Sequence, residues 1–334
     1  MHILHTTPGD ANFYLFEELP KRLYPADSLR HTQSDNLNQE FLDTCFVLTV
    51  DGEPKARAAL YRNPNLVYEG KQAACVGNYE CVEEEEVAEA MLNYVAGKAM
   101  EAGAAYLLGP MNGSTWDNYR FSSHHSHANF LLEPYHHLYY NQQFAATGFS
   151  PVARYTSSLD TDVVCDHPAI VKREAELMAA GVTFRPIHMA DYEGELARLY
   201  PFITGAFKSN FLYTPISWES FRKKYLEAAR IITPDHVLLA EDPERNIIGL
   251  IFCYDDLYNT SEKSLVVKTL ARHESKEWAG LGQVLGNQIM RAAKAKSYRS
   301  LIHAFTIATG ASTVTSKTFH GNVYKSYTLY GKEL

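Results

Sequence analysis

The chain has 334 residues, of which 46% are hydrophobic and 21% charged, and its formal net charge is −8. That length is generous for a single core and suggests two domains, with apolar material enough to fill both. The acidic balance argues against a general nucleic-acid binder, which needs a basic footprint, and no uncharged apolar run approaches the roughly 18 residues of a membrane span.

The opening residues Met1 to Pro8 lack a basic stretch and a long apolar core, so no signal peptide is expected. Five cysteines, at 45, 75, 81, 165 and 253, include no CxxC pair. An odd count without such spacing fits neither a zinc ribbon nor a disulfide framework. A reducing, cytoplasmic setting is expected.

In chain order, Phe46 to Val50, a turn at Asp51-Gly52, and Ala56 to Tyr61 read as a hairpin. Val87 to Met100 places Val87, Met91, Leu92 and Val95 on one helical face, and a short apolar strand follows at Ala105 to Leu108. Gly148 to Tyr155 reads as a closing strand. Thr161 to Gly181 reads as a helical connector, and Val182 to Pro186 as a strand opening a second unit. The same series then repeats. Val237 to Ala240 and Ile247 to Phe252 form a hairpin, and Leu281 to Lys294 an amphipathic helix. Leu301 to Phe305 and Gly321 to Tyr330 supply strands. The offset stays at roughly 190–195 residues, which points to duplication of one α/β unit. The expected domains are 1–160 and 182–334, joined by a connector at 161–181. Each is an α/β unit with a mixed, mostly antiparallel sheet flanked by helices.

The second unit carries the chemistry-bearing pattern. Ser264 to Leu270 reads as a strand, Ala271 to Trp278 as a polar loop, and Ala279-Gly280-Leu281-Gly282 leads straight into the amphipathic helix. Backbone N–H groups and the dipole at such a helix start favour a phosphate. Glycines there let the backbone approach it closely. The matching stretch of the first unit, Cys81-Val82-Glu83-Glu84-Glu85-Glu86-Val87, has no glycine and four carboxylates, which suit a helix start but repel a pyrophosphate.

The run Glu277-Trp278-Ala279-Gly280-Leu281-Gly282 resembles the Gln/Arg-x-x-Gly-x-Gly/Ala loop of the GNAT superfamily of N-acyltransferases. Both glycines match, and Glu277 departs from the usual Gln or Arg. The likeness extends over about Val182 to Leu334 in order of elements. It implies tandem GNAT-like domains, the first without a phosphate loop, and transfer of an acetyl group from acetyl-CoA to an amine of a small molecule or peptide. It further implies that Thr269, Leu270 and Ala271 pair with the pantetheine arm, and that Trp278, Ala279, Gly280, Leu281 and Gly282 form the phosphate loop. A backbone N–H near Leu270 would stabilise the oxyanion. The superfamily often carries a tyrosine in the helix before the final strand, and Ala311 to Phe319 contains none. Tyr324 is the first choice for the acid. His303, on the apolar strand, is the candidate base, although a lone histidine there is more often a core residue.

In the first unit, Gly109 to Phe121 is a polar, aromatic, turn-rich loop. It resembles the Gly-Pro-x-Asn-x-Ser loop of some two-lobed bacterial GNAT-like proteins. Asn112, Ser114, Trp116, Asn118, Tyr119 and Arg120 are candidates for lining a substrate pocket between lobes. His124 and His127 lack carboxylate or cysteine partners at ligand spacing, so no metal site is expected. Two other readings stand beside the enzyme: a non-catalytic binder of CoA or another ligand, and an aminoacyl-type transferase with its site between the lobes.

Overall fold

A computed structural model describes residues 1–33, 35–307 and 321–334. The first half contains β1 (His2–Thr6), α1 (Phe13–Leu23), β2 (Leu42–Val50), β3 (Glu53–Tyr61), β4 (Val67–Tyr68) and β5 (Lys71–Cys81). It continues with α2 (Glu85–Glu101), β6 (Tyr106–Gly109), β7 (Phe121–Ser122), α3 (Tyr139–Ala146) and β8 (Ser150–Asp160). The connector is α4 (Pro168–Ala179). Its proline takes the first turn, where no N–H is missed, and the His167 side chain accepts a hydrogen bond from Ala169 N. The second half holds β9 (Thr183–Pro186), α5 (Tyr192–Phe207), α6 (Trp218–Ala228), β10 (Val237–Glu241) and β11 (Ile247–Asp255). It ends with β12 (Ser264–Arg272), α7 (Leu281–Ala295), β13 (Ser300–Ile307) and β14 (Asn322–Glu333).

The expected hairpin forms around Asp51 and Gly52, both at positive φ, the conformation that suits a tight turn between twisted strands. Each half contains one parallel pair bridged by a helix: β5–α2–β6 and β12–α7–β13. The apolar face of α2, with Val87, Met91, Leu92 and Val95, packs on the first half's sheet. Leu281, Val284, Leu285 and Ile289 of α7 do the same on the second. The helical spacing of these residues alone brings them to one face.

All the strands belong to one sheet path, β1-β2-β3-β5-β6-β14-β8-β13-β12-β11-β10-β9, with β4 and β7 beside it. The halves exchange their last strands. β14 lies between β6 and β8, so the end of the second half pairs with the first. β8 pairs in turn with β13. Side chains lock this exchange. Lys325 of β14 lies 2.6 Å from Glu133, both essentially without solvent contact. The Tyr327 hydroxyl donates to the other oxygen of Glu133 at 2.8 Å. Register shifts at Val323/Lys325 and Leu329/Tyr330 bend β14.

Removing one partner of a buried ion pair leaves the other charge uncompensated. Lys325→Met is therefore expected to destabilise the protein by about 3–5 kcal/mol, and adding Glu133→Leu to recover most of that. Urea unfolding of both variants measures it; a double variant as weak as the single would contradict the pairing.

Candidate functional site

The parallel pairing of β12 with β13 ends at Val267–His303. Beyond it, Thr269, Leu270 and Ala271 pair with β11 on one side, and no described strand continues the ladder on the other. The two strands thus splay into a gap. Just past β12 the chain makes a short turn at Lys276–Trp278 and enters α7 through Gly280, which sits at φ +86°. A residue with a Cβ is strained at that angle, and a Cβ here would also meet Arg173 Cγ at 3.0 Å. Gly280 has no side chain to cap α7, so the N–H groups of its first turn, which have no intrahelical partner, are of the kind that can take a ligand.

Within the loop, side chain and backbone have different jobs. Trp278 and Leu281 are buried among the residues under α7 and anchor it. Ala279 is exposed and Gly280 half-buried, so the backbone is what faces outward. Arg173 of α4 braces the loop, donating through Nε to Ala279 O at 2.8 Å and through Nη2 to Glu277 O at 2.6 Å. It brings a guanidinium to a loop whose own sequence offers Glu277. An Ala- and Glu-rich connector gives no sign of this.

The equivalent gap in the first half is closed. The β5–β6 pairing ends at Cys75–Leu108. Met111 N then donates to Val76 O at 2.8 Å, and Asn78 N to Asn112 Oδ1 at 3.0 Å. Gly77 makes room: a Cβ there would lie 2.3 Å from Asn112 Oδ1. Further along, Cys81 N donates to the Tyr140 hydroxyl, Tyr139 donates to Cys81 O, and Gln143 to Val82 O. The loop and α3 consume the edge that a ligand would need.

The six first-half candidates separate accordingly. Asn112 fills the closed gap, and Ser114, buried, accepts from Trp116 N within its own loop. Asn118 is exposed and meets Asn112 through its backbone. Trp116 reaches the other half: its Nε1 donates to Thr214 O at 2.9 Å, and its ring packs near Phe207, Tyr213 and Phe221. Tyr119 and Arg120 point to the same boundary. The Arg120 guanidinium stacks on Tyr119, Tyr155 and Phe305 at 3.7, 4.4 and 4.6 Å.

Opposite Arg120 stands Lys268, the first β12 residue past the paired rungs, with Nζ 4.3 Å from the Phe305 ring centre. It is open to water yet surrounded by protein. That enclosure pushes its ammonium down to about 7, helped by repulsion from Arg120 and Lys224. Lys268 is the only charged residue in Ser264 to Leu270, and a lone charge in an apolar strand is a signal the sequence itself carries.

His303 flanks the apex of the gap. Its neighbours Ile302 and Ala304 pack on the face away from α7 and Leu301 on the α7 face, so alternation puts His303 on the α7 side. Burial pulls its imidazole down to about 4, leaving it neutral at pH 7. Tyr324 is half-buried on the opposite face, beside Phe130, Tyr254 and the His127 ring. Burial raises its hydroxyl well above the usual range, with Glu133 and Asp256 adding to the effect. Ala311 to Phe319, and the question of a tyrosine there, lie outside the described residues.

The depressed Lys268 has a thermodynamic consequence. Between about 7 and the ordinary 10.5, the unfolded chain holds the proton more tightly than the folded one, so stability rises with pH across that window. The parent protein should gain stability relative to Lys268→Met as pH goes from about 7 towards 10. Parallel urea midpoints for the two proteins would mean that Lys268 is not enclosed in this way.

No protein-family model matches the sequence, and no curated protein matches it either. Solved structures do. A GCN5-related N-acetyltransferase from Sphaerobacter thermophilus superposes with a TM-score of 0.52 at 13% identity, over 99% of this chain and 95% of that one. A tandem GNAT protein from the clavulanic acid biosynthesis pathway gives 0.53 at 10% identity, over 99% and 98%. A probable N-acyltransferase from Enterococcus faecalis gives 0.58 at 8% identity, over 100% of this chain and 72% of that one. The splayed parallel pair, the glycine-led helix start and these superpositions agree: the chain has the GCN5-related N-acetyltransferase fold, in tandem.

Proposed function

We propose that this chain is an acyl-CoA-dependent N-acyltransferase, with its donor site in the second half and its acceptor amine between the halves. The observation that carries the proposal is the gap past Val267–His303, which runs to an uncapped helix start at Gly280. The fit is sound on this structure: a strand edge without a partner suits the amides of a pantetheine arm, and free N–H groups with a left-handed glycine suit a pyrophosphate. Thr269, Leu270 and Ala271 would hold the arm, and the backbone from Gly280 to Gly282 the phosphates. Arg173 would lend the positive charge that Glu277 does not.

Acetyl-CoA, the simplest donor, supplies an acyl group on a thioester. The protein's part is to hold the two reactants together and to manage protons. His303 is neutral and Tyr324 protonated near neutral pH. Those states suit a base and an acid, but the two side chains lie on opposite faces of the sheet. Tyr324, on the face away from α7, is taken as the acid for the departing thiolate, and His303 is not assigned the amine proton. The first half, its own gap filled by Asn112 and α3, takes no donor and serves as the wall of the acceptor cleft.

Calorimetry with acetyl-CoA tests the donor site. Gly282→Glu is the informative variant, because a Cβ there meets only the Leu270 side chain, at 3.5 Å, and the fold should persist. The parent should bind, and the added carboxylate at the helix start should weaken binding by about tenfold or more. An unchanged affinity, or no binding by the parent, would overturn the donor site. Acetylation of amines in a screen then tests the activity itself.

A further inference from the structure

The cleft between the halves holds two cations without anions. Arg120 is buried, and its Nη1 has neither solvent contact nor a hydrogen-bond partner. None of the described residues accepts a hydrogen bond from Arg120 or forms an ion pair with it or with Lys268. Aromatic rings hold the Arg120 guanidinium from several sides, fixing its plane while giving it no counter-ion. Asp117, three residues before Arg120, is already taken by Lys224 at 2.7 Å and by Asn38 at 2.9 Å. A chain with net charge −8 has acidic groups to spare, yet among the described residues none pairs with Arg120 or Lys268.

Burying a guanidinium without a partner is costly, and such sites are completed by a ligand that brings the missing charge. The two cations come from different halves, Arg120 from the loop after β6 and Lys268 from β12. They meet through the Phe305 ring. Lys268 stands where the donor gap begins, and its Nζ reaches the Phe305 ring, which packs with Phe130, Val266 and Ile302 on the sheet face away from α7. The phosphate loop belongs to the α7 side, so the cation pair is separate from it. Arginine's planar fork matches a carboxylate, and a neighbouring ammonium adds a point charge.

We propose that the acceptor is an amine that also carries a carboxylate, held between Arg120 and Lys268, so that the substrate class is free amino acids or short peptides with a free C-terminus. This rests on the acyltransferase reading for what happens to the amine, but the binding it asserts does not depend on it.

The experiment uses the full chain and a panel of free amino acids and dipeptides, each paired with its C-terminal amide. Binding is followed by calorimetry without acetyl-CoA. At least one acid should bind about tenfold or more tightly than its amide. Arg120→Gln and Lys268→Met should each remove that preference, while acetyl-CoA affinity, measured separately, stays as in the parent and shows that the fold is intact. Acids and amides that bind alike, or no binding by any pair, would overturn the proposal. So would a preference that survives both substitutions. If the preference is found but acetyl-CoA does not bind, the acyltransferase reading fails and the carboxylate site stands; if acetyl-CoA binds and no preference exists, only the carboxylate site fails.

Discussion

The architecture depends on where β14 goes. It could close its own half; instead it inserts between β6 and β8 and carries Lys325 and Tyr327 onto the buried Glu133. An ammonium and a carboxylate withdrawn from water are tolerable only when they meet, and these two meet only if the second half's last strand lies in the first half's sheet. The exchange therefore fuses two units into one sheet and fixes how their faces oppose. Without that constraint, Trp116 would not reach Thr214, nor Arg120 the Phe305 ring.

Two copies of one topology have been put to different uses by local substitutions. Both contain a parallel pair that splays at the same place, because a helix crossover pins only the first rungs. In the first half the opened edge is met by Met111, Asn112 and the α3 side chains, and a run of glutamates precedes the helix. In the second half no described strand meets the edge, and a left-handed glycine precedes the helix. Backbone hydrogen-bonding capacity must be satisfied by something. The first half satisfies it internally; in the second, no described strand meets that edge.

Charge is distributed to the same end. Ion pairs elsewhere are dense: Arg57 and Arg30 share Asp35 and Glu80, and Arg185 sits between Glu195 and Glu241. In the cleft, by contrast, neither Arg120 nor Lys268 has an ion-pair partner among the described residues. These cations face each other across an aromatic ring, and Lys268 responds by holding its proton weakly. Like charges brought together in a partly enclosed space raise the cost of keeping both charged, and an arriving anion relieves it.

Local order is what the sequence determined by itself. The 3.6-residue spacing of Val87, Met91, Leu92 and Val95, and of Leu281, Val284, Leu285 and Ile289, set both core helices. The Asp51-Gly52 turn set a hairpin, and Gly280 with Gly282 marked the helix start where a phosphate would sit. These signals act over a few residues, so they survive in one dimension. Tertiary structure alone decided which strands are neighbours. Pairing of β14 with β6 joins residues more than two hundred positions apart, and no local pattern records it. The same holds for Arg173 under the loop, Asn112 in the closed gap, and Arg120 opposite Lys268. Each acts through a partner brought near only by tertiary folding, and a side chain's chemistry is set by what surrounds it rather than by what precedes it in the chain.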